Sequence, residues 1–401
     1  MILKDTLRTI VSEQRAELES YEYGIERTDL QRIPLDLPFA IIITGIRRSG
    51  KSTLLHQLLK KLPNFYYLNF EDTRLLSFES GDFAKLDQVF HEEFGSSEFY
   101  LLDEIQNVNG WEIFVRSRLD KHKKIFITGS NASLLSRELG TRLTGRHIDI
   151  EIFPFSFPEA LLFMGEDLSY KSFGTYFYNG GFPEHLKFKK PEILRELLLD
   201  ILYRDIISRH NIRESKALQE MTIYLLTNVG KEFSYNSLKK MFGFGSVNTP
   251  TSFISYLEDS YLLFTVSRFD YSFKKQLVNA KKVYSIDNAM SIANSASFSS
   301  DKGRILENLV FLALRRTYRE IYYFRENGEC DFLVKVDGVL KMAIQVTYEL
   351  NEDNKGRELE GLTEAMDKLN IEEGLILTYG QEDELTIEGR TIKIKPAWKW
   401  I

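Results

Sequence analysis

The stretch Ile43–Leu55, ITGIRRSGKSTLL, decides how the first part of this chain is read. Gly45, Gly50, Lys51 and Ser52 fit the spacing G-x-x-x-x-G-K-[ST]. Glycine lets a backbone close around a phosphate with its N–H groups turned inward. Lys51 stands where an ammonium would reach the β- and γ-phosphates, and Ser52 where a hydroxyl would bind Mg²⁺. Ile46, Arg47, Arg48 and Ser49 fill the loop and Thr53 follows it, so Gly45–Thr53 is the candidate nucleotide-binding segment. The context agrees: the loop follows the apolar run FAIIITG and opens a helix, whose positive dipole end favours an anion. The spacing does not explain Arg47 and Arg48. Phosphate, the acids Glu71 and Asp72, or a neighbouring subunit are all open to them.

A second half of the site lies in FYLLDE, an apolar run ending in Asp103 and Glu104. In a P-loop ATPase the Asp helps to hold Mg²⁺, and an adjacent Glu is placed to orient or deprotonate the attacking water. The next run, KIFITGSN, ends in Ser130 and Asn131, at the strand end where α/β sheets bind ligands. Either residue serves equally as a γ-phosphate sensor or as the cap of the following helix. ELGTRLTGRHIDI offers Arg146, and after it Arg142, to stabilise transition-state charge in cis or across a subunit boundary. The alternative is a solvated arginine paired with a local acid.

Further runs, FYYLNFED and HIDIEIFPF, join these three, with helical stretches between most of them. Runs that are apolar on both faces and alternate with helices imply a buried parallel sheet with helices on both faces, an α/β P-loop domain over 30–165. Residues 1–29 read as an amphipathic helical segment. Over 166–271 the pattern is helical, ending in a short helix, a Gly-rich turn, a helix opening at Thr249-Pro250 and a strand, which is a winged helix-turn-helix order. Its candidate recognition helix has no Lys or Arg and carries Glu258 and Asp259, whereas Lys239 and Lys240 precede it and Lys274, Lys275, Lys281 and Lys282 flank a wing. From 272 to 401 a helix, GRILENLVFLALRRTYRE, precedes several strands and a charged helix over 352–370.

Composition narrows the class. At 401 residues, the chain exceeds one domain of ~100–200 residues. A net charge of −6 argues against a surface that coats nucleic acid throughout, and leaves room for a local basic face. No apolar run approaches the ~20 residues that span a bilayer. The charges scattered through MILKDTLRTIVSEQRAELES are unlike a secretory signal, so a cytoplasmic protein without a membrane partner is expected. The one cysteine, Cys330, lies in an alternating stretch and is expected to pack in a core.

Together, GIRRSGKSTLL, LLDEIQ, ITGSNASLL and LTGR…PFSFPEAL resemble the archaeal-type P-loop ATPases of the AAA+ class. YSIDNAM, GRILENLVFLAL and ECDFLVKV resemble the C-terminal domain of unknown function that accompanies them. The resemblance implies ATP and Mg²⁺ as cofactors, Asp103 and Glu104 as the Walker B pair and Asn131 as the sensor. It also implies a restriction-endonuclease-like C-terminal fold. There Glu307, Asp331 and Gln345 would stand at nuclease metal-ligand positions, with Thr347 where that fold carries its lysine. Thr is short and neutral, so a vestigial site that binds rather than cuts is expected, with Lys341 or Lys355 as the lysines that could substitute. The functional expectation is an ATPase with Lys51, Glu104, Asn131 and Arg146 as catalytic residues, and Ser52 and Asp103 at Mg²⁺. Nucleotide state would drive a conformational change in the C-terminal region. The alternatives are a nucleic-acid-binding switch with slow hydrolysis and a metal-dependent DNA nuclease gated by ATP. DNA, through the winged helix or the nuclease-like domain, and a protein or second copy of the chain remain open as partners.

Overall fold

The computed structural model describes residues 2–20, 24–130, 145–297, 301–387 and 389–401. They form two compact units, Met1–Phe153 and Pro154–Ile401. In the first, strands β1 (Ala40–Gly45), β2 (Tyr66–Asn69), β3 (Phe99–Asp103), β4 (Lys124–Gly129) and β5 (His147–Ile152) form one sheet ordered β2-β3-β4-β1-β5. Every pairing in it is parallel. Alternate side chains leave a strand on opposite faces. Ile42, Leu68, Leu102 and Ile127 therefore face one core, with helices Lys4–Ser20, Phe83–Phe94 and Trp111–Leu119. Ile41, Ile43, Leu101 and Phe126 face the other, with Leu54, Leu55 and Leu58 of helix Lys51–Leu59. This is the P-loop α/β sandwich expected from the apolar runs.

Helix Lys4–Ser20, expected as a separate segment within 1–29, is part of that sandwich. Leu7, Ile10 and Val11, spaced on one helix face, are buried in the first core. The Gln14 side chain caps edge strand β2, accepting from Asn69 N at 2.8 Å and donating to Asn69 O at 3.2 Å. The carboxyl end of the sandwich also differs from the expected 165. The residues after Phe153 pack in the second unit, where Phe155 N donates to Gly181 O at 2.8 Å and the Phe157 ring meets Phe173 and Tyr176.

The second unit begins with helices and ends in a nine-stranded sheet. Its strands are β6 (Glu232–Phe233), β7 (Leu263–Arg268), β8 (Lys281–Ser285), β9 (Glu320–Arg325), β10 (Glu329–Val336), β11 (Val339–Val346), β12 (Glu373–Thr378), β13 (Asp383–Ile387) and β14 (Arg390–Pro396). They are ordered β13-β14-β12-β11-β10-β9-β7-β8-β6. Between β6 and β7 lie helices Tyr235–Phe242 and Asn248–Asp259, the latter starting one residue before the expected Thr249. Strands β7 and β8 pair antiparallel, and β7 pairs parallel with β9. The expected division at 271/272 therefore falls inside a hairpin, and one sheet runs through it. Cys330 is buried in the core of β10, as its alternating context suggested.

Candidate functional site

The loop joins β1 to helix Lys51–Leu59 at the carboxyl edge of the first sheet. Gly45 has φ +147°, and a Cβ there would lie 2.1 Å from the Ile152 carbonyl oxygen of β5, so a side chain would displace backbone. Gly50 also has positive φ, +95°. The buried Lys51 ammonium donates to the carbonyls of Gly45 and Ile46, at 3.0 and 3.1 Å. Two of its acceptors are thus neutral carbonyls of its own loop. Ile46 and Ser49 are buried and Arg48 is exposed at φ +62°. Arg47 lies 3.6 Å from Glu71, one of the partners open to it, while Asp72 pairs with Arg74 at 2.7 Å.

Asp103 ends β3 and Glu104 follows in the left-handed region, at φ +51°. Strand β4 lies between β3 and β1 and supplies Thr128. The Thr128 hydroxyl donates to one Asp103 carboxylate oxygen and accepts from Glu104 N at 3.0 Å. One threonine thus sets both acids. The Tyr67 hydroxyl donates to the other Asp103 oxygen at 3.3 Å. Ser52 also hydrogen-bonds Asp103, which ties the start of the loop helix to β3. Burial, and then the neighbouring Glu104, raise the Asp103 pKa to about 6, with Thr128, Ser52 and Lys51 opposing. Ser52 and Asp103 form a hard-oxygen pair of the kind Mg²⁺ takes. Gln106 donates to Glu104 through its amide.

The structure does not bring Arg146 to this site. Arg146 O accepts from Ala40 N at 3.0 Å, at the start of β1, whereas the loop leaves from Gly45 at its end. At about 3.3 Å per residue, a strand of six residues puts the two ends roughly 17 Å apart. The Arg146 guanidinium pairs with Asp120 at 2.8 Å, which is the surface-pair alternative. Ser130 is buried at the end of β4. Asn131, Arg142 and their sensor, cap or finger roles lie outside the described residues.

Two residues without a sequence signal complete the loop's surroundings. Arg27, only 1% exposed, donates to Ser49 O at 2.6 Å and to Phe153 O at 2.8 Å. Gln57, from the loop's helix, accepts from Arg27 N at 3.0 Å and donates to Ile25 O at 2.6 Å.

In the second unit, the residues singled out by resemblance do converge. Glu307 comes from helix Lys302–Thr317, Asp331 from β10 and Gln345 from β11, and they line a cavity of about 310 Å³ with Glu329, Thr347 and Glu358. Gln345 accepts from Asp331 N at 3.1 Å and donates to Glu358 at 2.5 Å. Thr347 donates to Glu349 O at 3.2 Å, serving a turn. Lys341 and Lys355 are exposed, and neither joins the cluster's ion pairs; the lysine there is Lys282 of β8. Lys282 is 2% exposed, and its ammonium lies 2.7 Å from Asp331, 3.0 Å from Glu307 and 2.7 Å from Glu329. Tyr284, two residues on, donates to Glu307 at 2.7 Å. Burial opposes the ammonium, but Asp331 and Glu307 outweigh it and hold Lys282 well above its ordinary pKa. Burial and the charge of Asp331 push Glu307 up to about 7. Among the described residues, no group of three or more His, Cys, Asp or Glu is arranged to hold a metal ion. Lys282 was expected on a wing surface and is instead buried. Lys281 is also engaged, donating to Ser267 at 2.8 Å. Glu258 turns inward as well, accepting from Thr265 N and Oγ1 at 3.0 and 2.7 Å.

With this geometry in hand, known proteins place the chain. An AAA domain model matches residues 38–161, and two domains of unknown function, DUF8612 and DUF4143, match 170–301 and 302–400. An uncharacterized protein of Methanocaldococcus jannaschii is 36% identical over 90% of this chain and 87% of its own length. The chain belongs to its family. The family is that of P-loop proteins with an AAA-type ATPase domain. An uncharacterized Haemophilus influenzae protein is 33% identical over 79% of this chain and 84% of its own. Among solved structures, AMPPCP-bound DnaA from Aquifex aeolicus is 15% identical with a TM-score of 0.31, covering 60% of this chain and 90% of that one. The ADP form of Aeropyrum pernix ORC2 is 10% identical with a TM-score of 0.32, covering 65% and 86%. Among the described residues, no helix is long and apolar enough to cross a membrane.

Proposed function

We propose that this family member is a Mg²⁺-dependent ATPase of the AAA+ class whose nucleotide state drives a conformational change in its C-terminal region. The observation that carries the reading is the shared bracing of Asp103 and Glu104 by Thr128, next to Ser52 and Lys51. Lys51 exchanges its two neutral carbonyl acceptors for phosphate oxygens, while the loop amides cradle the phosphates. Ser52 and Asp103 would hold the cation, which would supply positive charge to offset that developing on the transferred phosphoryl group. Glu104, fixed through its backbone by Thr128 and through its side chain by Gln106, orients the attacking water and takes its proton. The decisive experiment measures ATP binding and turnover for wild type and Glu104→Gln. Retained binding with turnover lowered roughly 100-fold or more supports the role; wild-type turnover removes Glu104 from it.

The C-terminal region, read as a winged helix leading into a restriction-endonuclease-like fold, binds its target without cutting it. Lys282 supports this, because its ammonium already engages the carboxylates that a nuclease would turn to a metal. Incubation of plasmid with Mg²⁺ or Mn²⁺, with and without ATP, should leave it intact, and cleavage lost in Asp331→Asn would establish the nuclease instead. A nucleic-acid target is favoured by the segment between β7 and β8, where Tyr271 and Phe273 are 83% and 70% exposed beside Lys274 and Lys275. Mobility shifts with single- and double-stranded DNA, with and without ATP, test it; absence of any salt-sensitive binding would sink it.

A further inference from the structure

We propose that Arg27 is a positioning residue for the nucleotide loop, a buried cation that sets the orientation of the Ser49–Gly50 peptide. The Ser49 carbonyl and the Gly50 N–H are opposite ends of one trans peptide plane. Arg27 takes the carbonyl end at 2.6 Å, so the N–H end is turned the other way, as phosphate binding by loop amides requires. Gly50 gives this plane its freedom: with φ at +95°, it can settle in more than one orientation unless something selects one. Selection is close at hand, since a Cβ on Gly50 would sit 3.0 Å from Arg27 Nη1.

The other contacts explain why Arg27 can serve as a fixed reference. Its second arm reaches Phe153 O at 2.8 Å, just beyond β5. The backbone leading into Arg27 is gripped by the Gln57 amide, which pairs with Arg27 N and Ile25 O. Gln57 belongs to the helix that Lys51 opens, so the guanidinium of Arg27 ties loop to strand end while its backbone ties in the helix. Asp29, at 3.9 Å from Arg27, is itself bonded to Arg32 at 2.9 Å. The fork geometry is what the arrangement uses: two donors on a rigid plane span two carbonyls, which a lysine ammonium on a flexible stem does not reproduce.

This inference rests on the ATP-binding reading, and the experiment separates the two. Full-length wild type, Arg27→Met, Arg27→Lys and Lys51→Ala are titrated with a fluorescent ATP analogue, with the ATP-induced shift in melting temperature recorded alongside. Arg27→Met is expected to bind roughly 10- to 100-fold more weakly, the scale of a charge-assisted hydrogen bond, with KM raised more than kcat is lowered. Arg27→Lys should recover only part of the loss. If Arg27→Met does not fold, Arg27→Lys decides alone, because wild-type affinity in that variant overturns the proposal. A folded Arg27→Met with wild-type affinity and an undiminished ATP-induced shift overturns it too. Wild type that fails to bind, or Lys51→Ala that binds like wild type, overturns the ATP reading and this inference with it.

Discussion

Among the described residues, each unit of this molecule buries one lysine near acids, and the two arrangements are opposites. In the first unit, Lys51 donates to two neutral backbone carbonyls while Asp103 and Glu104 are braced separately by Thr128. In the second, Lys282 donates directly to Glu307 and Asp331 and also lies against Glu329. A phosphate can compete with neutral carbonyls for an ammonium, because the ammonium gains a charged partner. It competes poorly with carboxylates that already neutralise the ammonium out of water. Two acceptors of Lys51 are thus carbonyls that a phosphate can replace, whereas Lys282 is committed to carboxylates of the fold.

The sharpest way to break this comparison is to remove each lysine. Lys51→Ala should abolish measurable ATP binding, a loss of 100-fold or more by the ~1.5–3 kcal/mol ascribed to each charged hydrogen bond it makes to phosphate; calorimetric titration checks it. The same variant should melt near wild type without nucleotide. Lys282→Met should do the reverse. It leaves buried carboxylates unpaired and should lower stability by about 3–5 kcal/mol in urea denaturation, with ATP affinity unchanged. Adding Glu307→Gln and Asp331→Asn should restore part of that stability; no restoration would mean that Lys282 contributes mainly by packing.

Smaller effects refine the same contrast. Thr128→Val leaves the Glu104 amide and one Asp103 oxygen without their hydroxyl partner. It should cost about 1–3 kcal/mol and also slow ATP turnover. A stability loss with unchanged kcat would make Thr128 purely structural. The smallest effect is expected for Arg146→Ala. Its exposed pair with Asp120 contributes on the order of 0.2–1 kcal/mol, and turnover should stay within about twofold. A fall in kcat that grows with protein concentration would instead bring Arg146 to a neighbouring copy's site.

What could be read in advance depended on whether the signal was contiguous. The loop is a local pattern, so Gly45, Gly50, Lys51 and Ser52 were legible one by one, and the Asp103–Glu104 pair was legible at the end of its apolar run. A threonine inside FITGS carries no pattern of its own, so the role of Thr128 appears only when β4 comes between β1 and β3. Arg27 and Gln57 meet from separate segments and had no signal either. Lys281 and Lys282 looked like one basic pair on a wing. The two-residue period of β8 in fact sends them to different surroundings, one to Ser267 and one to the acids. That period was the available clue, because Tyr284 shares a face with Lys282 and also reaches Glu307. Arg146 shows the converse: an arginine close to a motif in sequence can stand a full strand length from it in space.

By itself, the sequence determined the phosphate loop, its acid partners and the parallel sheet that carries them. These follow from short-range spacing and from burial on both faces of a strand, which local residue order encodes. Only the tertiary structure decided which cation answers each carboxylate, that helix Lys4–Ser20 packs into the first unit, and that β7–β8 continues into the C-terminal sheet. Those outcomes depend on which distant segments share a desolvated space. There an ammonium or guanidinium must find acceptors wherever the fold supplies them.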